Sequence, residues 1–248
     1  MRISDIKERE FNLLDLIVES YIHESKPISS SYLCKKFNLP YSSATVRNVM
    51  ESLERQGFVC HVHTSSGRIP TQVGFRHYVE AIKEREREMT DGLELPLGLS
   101  GELSVDDTVS DVLEILSNVS GYTSLISIAD NNMHKFVCRG MRLMLEQPEF
   151  NDLAKFKNIL YTLEVRMDEL REILDYYSGE DLKILIGDEI GFNEIAECAM
   201  IVSGISKNKN RTTVSLALLG PMRMDYVRAG AYLLATRDYL KDIFSEGM

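Results

Sequence analysis

Cys60-His61-Val62-His63, with His77 beyond it, is the run in this chain whose side chains invite metal or proton chemistry. On a strand, residues 61 and 63 point to the same side, so two imidazoles can share an ion with His77 as a third ligand. Such a site needs three or four convergent donors and groups that orient them, which spacing alone does not supply. Four of the five histidines also fall within residues 1–88, a locally basic stretch where an imidazole serves phosphate contact equally well. The phosphate-loop, dinucleotide, nucleophile-elbow and His-Glu-x-x-His signatures are all missing. The reading is of a protein that binds, with no enzyme activity and no cofactor expected.

A second polar set has a clearer use. Ser42, Ser43, Thr45, Arg47 and Asn48 open a segment whose apolar residues Val46, Val49, Met50 and Leu53 follow the i, i+3, i+4, i+7 spacing of a buried helix stripe. That stripe turns Thr45, Arg47, Asn48 and Glu51 outward. Ser and Thr hydroxyls bond phosphates or bases, Arg47 can chelate a guanine edge, and Asn48 can pair with an adenine edge.

The elements that would position these residues follow from pattern and punctuation. Residues 6–22 space Ile6, Phe11, Leu13, Leu14, Ile17, Val18 and Tyr21 as an amphipathic helix, ended by Ser25-Lys26-Pro27. Ser29 or Ser30 caps a short helix over Tyr32–Phe37, and Asn38-Leu39-Pro40-Tyr41 makes a turn. Ser42 or Ser43 then caps the third helix, which Gly57 closes. Phe58–Val62 alternates like a strand, 63–68 reads as a loop, a strand returns at Ile69, and Pro70-Thr71 opens a fourth helix. Helix, helix, turn, helix and a strand pair is the order of a winged helix-turn-helix, which holds its third helix for a major groove. A helical protein-interaction domain with a solvated polar face is the plain alternative.

Net charge, −10 overall, argues against nucleic acid until it is divided along the chain. Residues 1–88 carry 13 Lys and Arg against 12 Asp and Glu, whereas 89–248 carry 15 against 26. Within 25–79, seven basic residues meet only Glu51 and Glu54. A basic island on an acidic chain suits a DNA-reading module joined to a regulatory domain. No stretch is apolar enough for a membrane helix, the N-terminus lacks a signal-peptide core, and four scattered cysteines suggest reduced thiols, so a cytoplasmic location is expected.

Residues 89–104, with three Gly and one Pro and no periodicity, read as a linker. This gives domains at 1–88 and 105–248. In the second, Val105–Val119, Phe150–Leu163, Met167–Tyr177 and Asp225–Phe244 read as helices. Tyr122–Ile128, Lys135–Met141, Leu182–Ile186, Ala199–Ile205 and Thr212–Leu219 read as strands. The class is α+β, fit for sensing or oligomerisation. Asp225-Tyr226 after Gly220-Pro221 reads as a strand-to-helix turn in preference to a ligand site.

Several of these runs together resemble the HrcA-type heat-inducible transcription repressors. They are Ser42–Met50 with Leu53 and Gly57, His63–Thr71 with Gly74, Phe75, Arg76, Tyr78 and Val79, Leu145–Phe150, Ile186–Glu189 and Gly220–Tyr226. The resemblance implies a winged helix joined to a GAF-like domain with an inserted dimerising segment. It also implies binding of double-stranded DNA at an inverted-repeat operator of chaperone genes as a homodimer, and dependence on the GroEL chaperonin. By the same resemblance Ser43, Thr45, Arg47 and Asn48 take the groove-reading role, and His63, Thr64, Ser65, Arg68 and Thr71 the wing. As a wing residue, Arg68 is expected to meet phosphate or a narrow minor groove.

Three departures stand out. Between Ser120-Gly121-Tyr122 and the Leu145–Phe150 block only a short segment occupies the place of part of the GAF-like sheet and the dimerising insertion. Met222 replaces a usual Thr. Cys60 and His61 occupy positions that usually carry charge, so only His63 of the metal candidates fits the pattern. Competing readings are a winged-helix regulator sensing a small molecule, a chaperone-interaction module without DNA binding, and, most distantly, a metal-dependent enzyme.

Overall fold

A computed structural model of the chain describes residues 3–62, 67–83, 105–129, 134–206 and 213–246. The chain divides into two compact units, Met1–Glu84 and Arg85–Met248. The expected linker, 89–104, lies outside the described residues. No helix among the described residues is long and apolar enough to cross a membrane.

The first unit is built on α1 (Ile3–Glu24), which buries Leu13, Leu14, Ile17, Val18 and Ile22. The helix stops at Ser25, whose φ of 53° is left-handed and whose N–H returns to the Tyr21 carbonyl. Helix α2 (Ser30–Lys36) is capped by Ser29, whose hydroxyl accepts from the Tyr32 N–H, and it buries Leu33. Helix α3 (Ser43–Arg55) is capped by Ser42, whose hydroxyl accepts from the Thr45 N–H at 3.1 Å. The stripe Val46, Val49, Met50 and Leu53 is buried as its spacing requires. Gly57, at φ +82°, lets the backbone leave α3 through the left-handed region. Strands β1 (Val59–His61) and β2 (Arg68–Pro70) then form an antiparallel ribbon, with Ile28 bridging Arg68 on the far side. Helix α4 (Gln72–Lys83) returns across α1 and buries Phe75, Val79 and Ile82.

In the second unit, strands β3 (Thr123–Ala129), β4 (His134–Arg139), β5 (Lys183–Ile186), β6 (Cys198–Ser206) and β7 (Thr213–Pro221) make one antiparallel sheet in the order β4-β3-β7-β6-β5. The short segment after Tyr122 thus still supplies two strands. Helices α5 (Val105–Ser120) and α9 (Tyr226–Glu246) pack on each other and on β3, β6 and β7. Between β4 and β5 run the single-turn α6 (Arg142–Leu145), α7 (Leu153–Val165) and α8 (Met167–Tyr176). Ile159, Leu163, Leu170 and Leu174 of α7 and α8 share a core cluster with Leu125, Met200, Val202, Ala217 and Leu219 of the sheet. Ser124, next to Leu125, instead donates its hydroxyl proton to the Leu113 carbonyl of α5 at 2.8 Å. Both sheet faces are therefore covered, which is why β6 and β7 read as continuous apolar runs without polar alternation.

One expected helix is divided. Phe150–Leu163 reads as a single helix, but Pro148–Phe150 forms a separate 3-10 turn. Asp152 then caps α7 by accepting the Ala154 N–H at 2.8 Å, and a side chain that starts a helix cannot lie inside one.

Candidate nucleic-acid interface

With its apolar stripe buried, α3 has one free face. Arg47 and Asn48 are exposed there, and neither side chain makes a hydrogen bond or ion pair among the described residues. Glu51, four residues on, does not pair with Arg47. Ser42 is exposed beside them, its hydroxyl 2.9 Å from that of the half-buried Thr45, so the two hydroxyls hold each other at the start of the helix. An arginine fork, an amide and two hydroxyls thus line the N-terminal half of one helix face. All four can donate to phosphate oxygens or base edges, and the fork and amide can do so through two parallel bonds.

Ser43 faces the other way. Its hydroxyl lies 2.8 Å from that of Ser30, tying α2 to α3. A cleft of about 500 Å³ opens between the outward face of α3 and the ribbon, lined by Arg47, Glu51, Glu54, His61 and Arg68, with Ser29 and Ser30 at its edge.

The expected wing residues divide into three groups. His63, Thr64 and Ser65 lie outside the described residues. Arg68 is only 8% exposed, and its Nη2 lies 2.9 Å from Glu54 Oε2, so its guanidinium is engaged within the protein rather than presented to a ligand. Thr71 closes the ribbon: its hydroxyl donates to the Gly57 carbonyl at 2.6 Å and accepts from the Gly74 N–H that begins α4. Arg68 and Thr71, expected as wing residues that meet DNA, thus have partners within the protein: Glu54 for the first, Gly57 and Gly74 for the second.

Of the three histidines weighed as metal ligands, His63 lies outside the described residues and the other two have separate neighbours. His61 is bonded to Glu54, whereas His77 stacks on Phe11 at a centroid distance of 4.3 Å and meets Asp15. Each imidazole is held by its own neighbours, and among the described residues no three His, Cys, Asp or Glu side chains converge as ligands. Cys60 carries a thiol pushed up by burial and by Glu54.

What residue-by-residue reading missed is Glu54. It reads as one acid in a basic stretch, yet it contacts both strands of the ribbon. The only hint was that 25–79 holds two acids, one of them seven residues before His61 and fourteen before Arg68.

In the second unit the runs Leu145–Phe150 and Gly220–Tyr226 meet. Arg223 bonds both Gln147 and Glu149, the Tyr122 hydroxyl accepts the Asp225 N–H at 2.9 Å, and Tyr226 donates to the Met222 carbonyl. Burial raises the Tyr122 pKa, which keeps that hydroxyl neutral. The segment after Pro221 is a strand-to-helix turn fastened by its neighbours, as its residues suggested.

Residues 128–229 match the family model described as the HrcA protein C-terminal domain. The heat-inducible transcription repressor HrcA of Carboxydothermus hydrogenoformans is 27% identical over 338 residues, covering 96% of this chain and 98% of the relative. That of Symbiobacterium thermophilum is 24% identical over 338 residues, with the same coverage. Both matches run over more residues than the 248 present here, so each relative carries stretches that this chain lacks. A crystal structure described as that of a hypothetical protein superposes with a TM-score of 0.81 at 19% identity, over 97% of this chain and 99% of the other, and supports the fold. The class these findings define is a transcription repressor of mixed α and β structure. Within that class the chain is similar to the HrcA type, whose members carry the name heat-inducible transcription repressor.

Proposed function

We propose that the chain represses heat-shock (chaperone) genes by binding an inverted-repeat operator as a homodimer, with its activity modulated by the GroEL chaperonin. Residues 1–88 serve as a winged helix-turn-helix, 89–104 as a linker, and 105–248 as a GAF-like regulatory and oligomerisation domain. The observation that carries this reading is the exposure of the Arg47 and Asn48 side chains, without partners among the described residues, on a helix whose opposite face is buried. Ser42 and Thr45 support them at the helix start, and Ser43 acts by holding α3 on α2. An inverted repeat requires two such helices about one DNA turn apart (~34 Å) or a multiple of it, which one copy cannot supply. The chaperonin and the regulated genes are what the resemblance to the HrcA-type repressors implies.

Selection from a random duplex library with the full-length chain tests the reading. The recovered sequences are expected to share an inverted repeat, and affinity should fall steeply as salt rises from about 50 to about 200 mM. Sedimentation should show two chains per duplex, and adding GroEL should raise the active fraction. Recovery of no common sequence, or binding by a single chain, would overturn it.

A further inference from the structure

Glu54 stands in the last turn of α3, and its two carboxylate oxygens reach the two strands of the ribbon separately. Oε1 is bonded to Nδ1 of His61 on β1, and Oε2 accepts from Nη2 of Arg68 on β2 at 2.9 Å. His61 and Arg68 are direct cross-strand partners, so one carboxylate spans the width of the ribbon. The main chain of Arg68 is held on its other side by paired 2.8 Å bonds with Ile28. Gly67 fits there because a Cβ would lie 2.2 Å from the Ile28 carbonyl oxygen.

We propose that Glu54 is the positioning residue that fixes the ribbon on the third helix, and that Arg68 serves DNA reading through Glu54 without touching the duplex. This rests on the DNA-binding reading above. Two strands of three residues each have little stability of their own, so the ribbon takes its orientation from what it packs against. A guanidinium with a side chain 10% exposed cannot leave its carboxylate for a phosphate without stranding a charge on Glu54. The carboxylates of Glu51 and Glu54 in the adjoining cleft also repel phosphate oxygens. Arg68 is thereby committed to Glu54, while Arg47, which also lines the cleft, has an exposed side chain with no partner among the described residues.

The test uses the full-length chain, an inverted-repeat duplex recovered by selection, and the variants Glu54→Ala, Glu54→Gln and Arg68→Met, titrated at several salt concentrations. Glu54→Ala and Arg68→Met should each weaken binding by about tenfold, because each strands or removes a charged hydrogen-bond partner. Their salt slope should equal that of the unaltered chain, since no phosphate contact is lost. Glu54→Gln, which keeps an oxygen for Arg68, should recover part of the affinity. The pair Glu54→Ala/Arg68→Met should bind no worse than the weaker single variant. Hydrogen exchange should quicken at the amides of residues 59–61 and 68–69 while α1 stays protected.

Wild-type affinity for Glu54→Ala would overturn the proposal, even if Arg68→Met failed to fold. So would a fall of about one unit of salt slope per site in Arg68→Met. If the unaltered chain enriched no duplex, the DNA reading would fall first, before any variant was made, and this proposal with it.

Discussion

Arg223, in the turn between β7 and α9, donates from Nε to Glu149 and from Nη2 to the Gln147 side-chain oxygen 2.9 Å away. The two charged side chains are 12% and 20% exposed, and the second Glu149 oxygen is buried with no hydrogen-bond partner among the described residues. The carboxylate therefore depends on Arg223 for its compensation. Removing one partner of such a pair leaves the other charge stranded, so Arg223→Ala should destabilise the protein by about 3 kcal/mol. Glu149→Gln combined with Arg223→Met should be much milder. Urea denaturation of the three chains checks this, and a loss under about 0.5 kcal/mol for Arg223→Ala would show the pair to be dispensable.

Gly67 is predicted to tolerate no side chain. Its φ is not left-handed; the limit is the Ile28 main chain, with an added Cβ within 2.8 Å of three of its backbone atoms. Gly67→Ala should push β2 away from Ile28 and break the paired bonds to Arg68. The expected cost is roughly 1–3 kcal/mol, the range for a backbone forced out of place in a packed site. Gly57→Ala, with φ +82° and open space around it, should cost about 1 kcal/mol from backbone conformation alone. A thermal melt in which Gly67→Ala matched the unaltered chain would refute the steric account.

Where periodicity decides, reading from residues succeeded. The stripe Val46, Val49, Met50 and Leu53 has one consistent burial pattern, and the strands of the second unit and its helices, apart from the start of α7, follow from their apolar spacing. Arg68 and Thr71 show where such reading stops. A cation in a basic loop looks like a phosphate ligand until Glu54, fourteen positions earlier on another element, is seen beside it. Thr71 looks like a wing hydroxyl until the Gly57 carbonyl takes it. Each role depends on a pairing between distant residues that no local pattern encodes. The same holds for Glu149 and Arg223: their two runs are legible separately, but their contact is a property of the folded chain.

Acid should weaken the second unit through Arg166. This residue bonds Glu169 and Glu194 and stacks over Phe192 at 4.4 Å. Its hydrogen bond holds Glu169 below the ordinary value of 4.5. A carboxyl depressed in the folded state contributes stability that is present above 4.5 and is lost as the pH falls through the folded value. Stability should therefore drop between about pH 5 and about pH 3, and Arg166→Met should flatten that part of the profile. Glu169 is half exposed, so the effect is modest and should shrink in high salt. An unchanged acid slope in Arg166→Met would place the acid sensitivity elsewhere.

Arg47 separates reading a sequence from holding the backbone. The surface pairing with Glu51 that would occupy it, worth only about 0.2–0.5 kcal/mol, does not form, so its guanidinium is available to a base edge. Arg47→Ala should cost roughly 1–3 kcal/mol on the selected duplex and much less on a scrambled one, lowering the specificity ratio. Its buried neighbours should keep the fold intact, since replacing an exposed helical Arg with Ala costs little. Asn48→Ala should behave likewise at a different base position. Parallel titrations on the two duplexes decide the matter. Equal losses on both would mean that Arg47 grips phosphate and that another residue reads the bases.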